Sequence, residues 1–139
     1  MQQSTIKLLI ANDQKLYRDA QKLAISKVPY FQVLEVAISF SDLFEKLKNC
    51  SPDILITDDV MLQESLLDYI QEIKNLYPGL KIIVTSNYND PNYLIKIRQE
   101  THGLLVGGMI TAEEFIKGIE MVSNEKNCYW HQYIWHPSF

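Results

Sequence analysis

The chain has 139 residues, 47% of them hydrophobic, which is the size of one domain and enough apolar material for a substantial core. Seventeen acidic residues against 13 basic ones leave a formal charge of -4, and the basic residues are scattered, which argues against a surface that binds nucleic acid directly. Two cysteines, Cys50 and Cys128, are too few for a secreted disulfide framework, no charged-then-apolar leader opens the chain, and no apolar run approaches the roughly 20 residues of a membrane span; a soluble domain in a reduced cytoplasm is expected.

In chain order, a β-rich run over residues 6–11 comes first, followed by Leu16, Ala20, Leu23 and Ala24, whose spacing predicts a helix with those residues on its buried face. Pro29 ends that helix and a second strand is predicted over 32–37. Ser39 and Asp42 have the spacing of a capping box and start a second helix, which Pro52 stops. A third strand is expected over 53–57. Ser65 and Asp68 repeat the capping signal before a helix whose apolar face is Leu66, Ile70, Ile73 and Leu76, ended by Pro78-Gly79. A fourth strand over 81–85 is followed by Asp90-Pro91, an N-cap with proline at the first helical position. The fifth strand, 103–106, precedes a helix announced by Thr111 and Glu114 and lined by Phe115, Ile119 and Val122.

Strict alternation of five strands and five helices predicts an α/β fold, a doubly wound parallel sheet in the (βα)5, flavodoxin-like order 2-1-3-4-5. Its strands carry β-branched residues without polar alternation, as strands covered on both faces should. Residues 1–124 form this domain, and 125–139 read as an appended tail rather than a second domain. Tyr129, Trp130, Tyr133 and Trp135 crowd that tail with aromatic surface and are expected to pack back on the domain or across a homodimer.

Ligands of such sheets bind outside the carboxyl ends of the strands. Asn12 and Asp13 follow the first strand, Asp58 and Asp59 the third, Thr85 and Ser86 the fourth, and Gly107 and Gly108 the fifth. Carboxylates gathered there suit Mg2+, which takes one or two of them and completes its shell with water and phosphate oxygens. Asp59 is expected to face solvent or to lend charge to the cluster. Cys128, His131 and His136 read as incidental rather than as zinc ligands, and no dinucleotide fingerprint or P-loop is present.

IKLLIANDQKLYRDA, PDILITDDVM, KIIVTSNYND and THGLLVGGMITAEEFIKGI together resemble the receiver domains of two-component response regulators, over about residues 5–123. The phrasing of the fourth and fifth strands is most similar to receivers that precede a LuxR-type DNA-binding domain. The resemblance implies that Asp58 is the phosphoacceptor and that Ser86, or Thr85 in the alternative register, is the switch hydroxyl. It also implies Mg2+ held by Asp13, Asp58 and the backbone carbonyl of Val60, with Asn12 a weaker contributor. The implied partners are a histidine kinase as phosphoryl donor and an output domain or partner protein. The domain would be a substrate and switch rather than an enzyme.

Four departures from the family pattern bear on that function. Asn12 replaces one of two acids, Leu104 an aromatic switch residue, and Gly107 a lysine, while Leu62 and Leu66 stand where the loop has proline and glycine. Loss of the lysine removes a cation from a site that must receive negative charge. The alternative function is therefore a degenerate receiver that acts by protein contact without phosphorylation.

Overall fold

A computed structural model of the chain describes residues 4–59, 65–88, 90–107, 110–131 and 134–136. Its strands are β1 (Ile6–Ala11), β2 (Phe31–Ala37), β3 (Ile54–Asp58), β4 (Lys81–Ser86), β5 (Gly103–Val106), β6 (Cys128–His131) and β7 (Ile134–His136). The helices are α1 (Lys15–Ser26), α2 (Phe40–Asn49), α3 (Leu66–Leu76), α4 (Pro91–Glu100) and α5 (Ala112–Ser123). The first five strands pair in parallel in the expected order 2-1-3-4-5.

Because successive strand residues point to opposite faces, the strands feed two separate cores. Leu9, Leu55, Ile82, Val84 and Leu104 face one side, where Leu43 and Leu47 of α2, Leu66, Ile70 and Ile73 of α3 and Ile97 of α4 cover them. Leu8, Ile10, Ile54, Ile56, Ile83 and Leu105 face the other, under Ala24 and Ile25 of α1 and Phe115, Ile119 and Val122 of α5. All the strand residues just named are essentially inaccessible.

The helix starts follow their sequence signals with one exception. Ser39 accepts from the Asp42 amide, Asp90 from the Asn92 amide with Pro91 behind it, and Thr111 and Glu114 close a full capping box. Ser65 makes no side-chain cap. The predicted face of α1 is corrected in part: Ala24 is buried as expected, but Leu16 and Leu23 are 80% and 64% exposed, Ala20 is exposed too, and Ile25 is buried beside Ala24. Apolar spacing identified a helix there, but not which stripe would meet the sheet. Leu76 is likewise exposed at the end of α3.

The tail does more than append. After α5 the chain reverses through a Schellman turn, the Lys126 amide bonding to the Met121 carbonyl and the Glu125 amide to that of Val122. Glu125 takes the left-handed conformation at φ 64° that glycine usually supplies there, and its carboxylate pairs with Lys81. β6 then adds in parallel to β5, and β7 pairs antiparallel with β6, so the described residues form a seven-stranded sheet. At Gly103 a Cβ would lie 3.3 Å from the Cys128 carbonyl oxygen and 3.1 Å from Ile83, so glycine lets β6 approach. Trp130 joins the α1/α5 core and Tyr129 the opposite one, each 7% exposed. Tyr129 also donates to the Arg98 and Thr101 carbonyls at 2.9 and 3.0 Å, under the Arg98 guanidinium. Tyr133 lies outside the described residues, as does the side chain of Trp135.

Candidate functional site

The carboxyl ends of β1, β3, β4 and β5 bring polar residues to one edge of the sheet. Asp58, half-buried, ends β3 and is paired in register with Thr85 of β4. That register puts the Thr85 hydroxyl 3.3 Å from Asp58 Oδ2, to which it donates. Ser86, one residue on, is 4% exposed, and its Oγ accepts from the Tyr88 amide at 3.0 Å. The hydroxyl that touches Asp58 is thus that of Thr85, while Ser86 shapes the turn into α4 and lines the same cavity.

Asn12 is 2% exposed at the end of β1. Its Oδ1 accepts from the Gln14 amide at 2.8 Å, an Asx turn that starts α1, and its carbonyl accepts from Arg18 at 2.8 Å. The side-chain oxygen is therefore already engaged. Asp13 is exposed in the turn after β1, on the same edge as Asp58, since Ala11 and Thr57 are register partners in adjacent strands. Val60 and Leu62, with Gly108, lie outside the described residues.

Asp59 does not face solvent, the first of the two alternatives expected for it. It is 0% exposed, and its Oδ2 accepts from the Tyr93 hydroxyl of α4 at 2.9 Å. A buried carboxylate is costly unless hydrogen-bonded, and Tyr93 supplies such a bond. Burial first, then the Asp59 charge, pushes the Tyr93 phenol well above its ordinary pKa, so it keeps the proton it donates. Tyr88 packs edge-on against Tyr93, with ring centroids 5.3 Å apart. An acid beside Asp58 is thereby tied to α4. Nothing in the sequence pairs residues 59 and 93; only the crossover of α4 over that face does.

Gly107 follows β5 with φ 112°, a conformation that L side chains rarely adopt, and its amide donates to the Ser86 carbonyl at 2.8 Å. Leu104 is 3% exposed within the core, opposite Tyr129 of β6. Between α1 and α5 a cavity of about 220 Å³ runs from Asp58, Thr85 and Gly107 to Gln21 and Phe115.

Among the described residues no three His, Cys, Asp or Glu side chains converge as a metal-binding group. The donor set on the edge, the Asp58 carboxylate with Asp13 on the neighbouring turn, still meets the one or two carboxylates that Mg2+ requires when phosphate and water supply the rest. None of the described helices is long and apolar enough to cross a membrane.

The family model of the response regulator receiver domain matches residues 8–106. The transcriptional regulatory protein DegU of Brevibacillus brevis is 22% identical over 135 residues, covering 96% of this chain and 56% of that protein. The chemotaxis protein CheY of Thermotoga maritima is 35% identical over 80 residues, 58% of this chain and 66% of CheY. The isolated receiver domain of RcsB from Salmonella enterica serovar Typhimurium, solved with the phosphomimetic BeF3-, superposes with a TM-score of 0.83 at 19% identity, covering 91% of this chain and 94% of that one. The chain spans about half the length of the transcriptional regulators it matches. Its fold, its acidic sheet edge and the matched span agree, and the chain belongs to the response regulator receiver domain family.

Proposed function

We propose that the domain is a phosphorylation switch whose acceptor is Asp58. The observation that carries this reading is the half-buried Asp58 carboxylate at the end of β3 with the Thr85 hydroxyl 3.3 Å away. An Asp58 oxygen attacks the phosphorus of a kinase phosphohistidine; a P–O bond forms, the P–N bond breaks, and the imidazole nitrogen keeps the electron pair and takes up a proton. Asp13 and Asp58 would hold Mg2+, with the Val60 carbonyl as a further donor; the ion supplies charge neutralisation for the transferring oxygens. The Thr85 hydroxyl, now on Asp58, is placed to donate to a phosphoryl oxygen instead, with Ser86 as the alternative in the neighbouring register. The domain is consumed and reset as a substrate rather than turning over as an enzyme, in keeping with the general behaviour of its family.

Readout runs through α4. Phosphorylation turns the singly charged Asp58 carboxylate into an acyl phosphate of about 1.5 to 2 negative charges, a net gain of up to about one, next to buried Asp59, whose bond to Tyr93 leads directly to that helix. The relatives are transcriptional regulators about twice as long as this chain, so the signal would pass to an output domain, to a separate protein in the cytoplasm, or to a second copy. The second reading, a contact-only module, is favoured by the engagement of Asn12 in its own turn and by the φ of Gly107, which disfavours a lysine.

Incubation with Mg2+ and acetyl phosphate, followed by intact-mass measurement, separates the two. A phosphoryl adduct that Asp58→Ala abolishes and Asp13→Asn diminishes supports the switch. An unmodified mass under conditions that load a known receiver overturns it in favour of contact alone.

A further inference from the structure

The cavity between α1 and α5 is larger than a packing defect. Its 220 Å³ is several times the roughly 30 Å³ of a water molecule in the liquid, though below the about 300–1,000 Å³ of drug-sized pockets. It exists because both walls are short. α1 presents Ala20 and Ala24, α5 begins with Ala112, and Gly107 contributes backbone only.

The lining also has a definite chemistry. Ala24, Ile110 and Phe115 make an apolar interior. Among the described lining residues Asp58 is a carboxylate and none is Lys, Arg or His. An anion entering would meet the Asp58 carboxylate, and at the start of α5 the capping box has already taken up the amides of Thr111 and Glu114. A cation meets the reverse, a half-buried carboxylate beside an apolar wall.

We propose that this cavity binds a small organic cation, an amine or amidine on a compact apolar body, with its charge at Asp58 and its body between α1 and α5. Such a ligand would bring a positive charge to the edge where Gly107 stands in place of the family's lysine. The site shares Asp58 with the phosphoacceptor reading but needs no phosphoryl transfer, so a protein that never takes up phosphate can still bind the cation.

The test is titration of the isotope-labelled domain, followed by amide chemical shifts, with benzamidine, with benzoate as an anion of the same shape, and with benzyl alcohol as a neutral one. Benzamidine should saturate, with shifts centred on Gln21, Ser86, Gly107 and Phe115, and benzoate should not bind. Asp58→Asn should weaken benzamidine by at least about tenfold, equivalent to roughly 1.4 kcal/mol, and leave benzyl alcohol unchanged. Ala20→Trp, at an exposed position on the cavity wall, should block binding by bulk while retaining the fold, visible in the unshifted remainder of the spectrum. Equal binding of benzoate and benzamidine, insensitivity to Asp58→Asn, shifts centred elsewhere, or no saturable benzamidine binding would each overturn the proposal.

Discussion

Tyr93→Phe removes one hydroxyl and little else. The phenyl ring keeps its edge-on contact with Tyr88 at 5.3 Å, so the change isolates the 2.9 Å bond to Asp59, a carboxylate with no exposed surface. A hydrogen bond to a charged group contributes about 1.5–3 kcal/mol, and losing it where the acceptor stays buried falls toward the upper part of that range. For 139 residues the unfolding entropy is about 0.3 kcal/mol per kelvin, so the loss corresponds to a fall of roughly 5–10 °C in Tm. Urea and thermal unfolding of the wild type, Tyr93→Phe, Asp59→Asn and the double variant form a cycle. The coupling between the two positions should exceed about 1 kcal/mol, as groups sharing a bond are non-additive. A Tyr93→Phe loss under about 0.5 kcal/mol, ordinary for a surface change, with additive effects in the cycle, would refute both the stabilising bond and its use as a route to α4.

Gly107→Lys, combined with Asn12→Asp, restores charges that the family resemblance associates with phosphoryl transfer. The φ of 112° at Gly107 costs a non-glycine residue about 1–3 kcal/mol, against roughly 4 kcal/mol for a 4 Å ion pair at an effective dielectric of 20 before desolvation. The double variant should therefore melt lower yet take up phosphoryl groups faster from acetyl phosphate; parent stability would refute the backbone argument, and parent uptake would locate the defect in the loop around Leu62 and Leu66. His102 Nδ1 accepts the Ile82 amide proton at 3.0 Å, and burial, then Lys81 and Lys74, hold its pKa below the ordinary 6.5. The unfolded state then binds the proton more readily, so stability is full above about pH 6.5 and falls as the pH drops below it. Urea midpoints should decline over that window more steeply for the wild type than for His102→Gln, and parallel declines would show that His102 is not the titrating group.

How much of this was legible in the sequence varied by element. β1 to β5 and their winding follow from β-branched runs separated by helical periods, because a parallel sheet must be covered on both faces and the chain must cross over to return. The acidic residues were placed on one edge by the same logic. α1 shows the limit: of the stripe Leu16, Ala20, Leu23 and Ala24 only Ala24 is turned inward, with Ile25 beside it. Periodicity identifies a helix, whereas the packing of its neighbours chooses the face. The tail shows it again, since the turn into β6 uses Glu125 where glycine is the usual signal.

The amino-acid sequence by itself determined the fold class, the order of the five central strands and the candidacy of Asp58, each of which depends on local pattern or on the ends of strands. Only the tertiary structure decided that Thr85 rather than Ser86 touches Asp58, that Asp59 is buried against Tyr93, that the aromatic tail extends the sheet, and that a cavity opens between α1 and α5. Those features are contacts between residues 25 and more positions apart, or depend on which small side chains face each other across two helices. No local preference encodes them, because their free energy arises only when the packed chain brings the partners together.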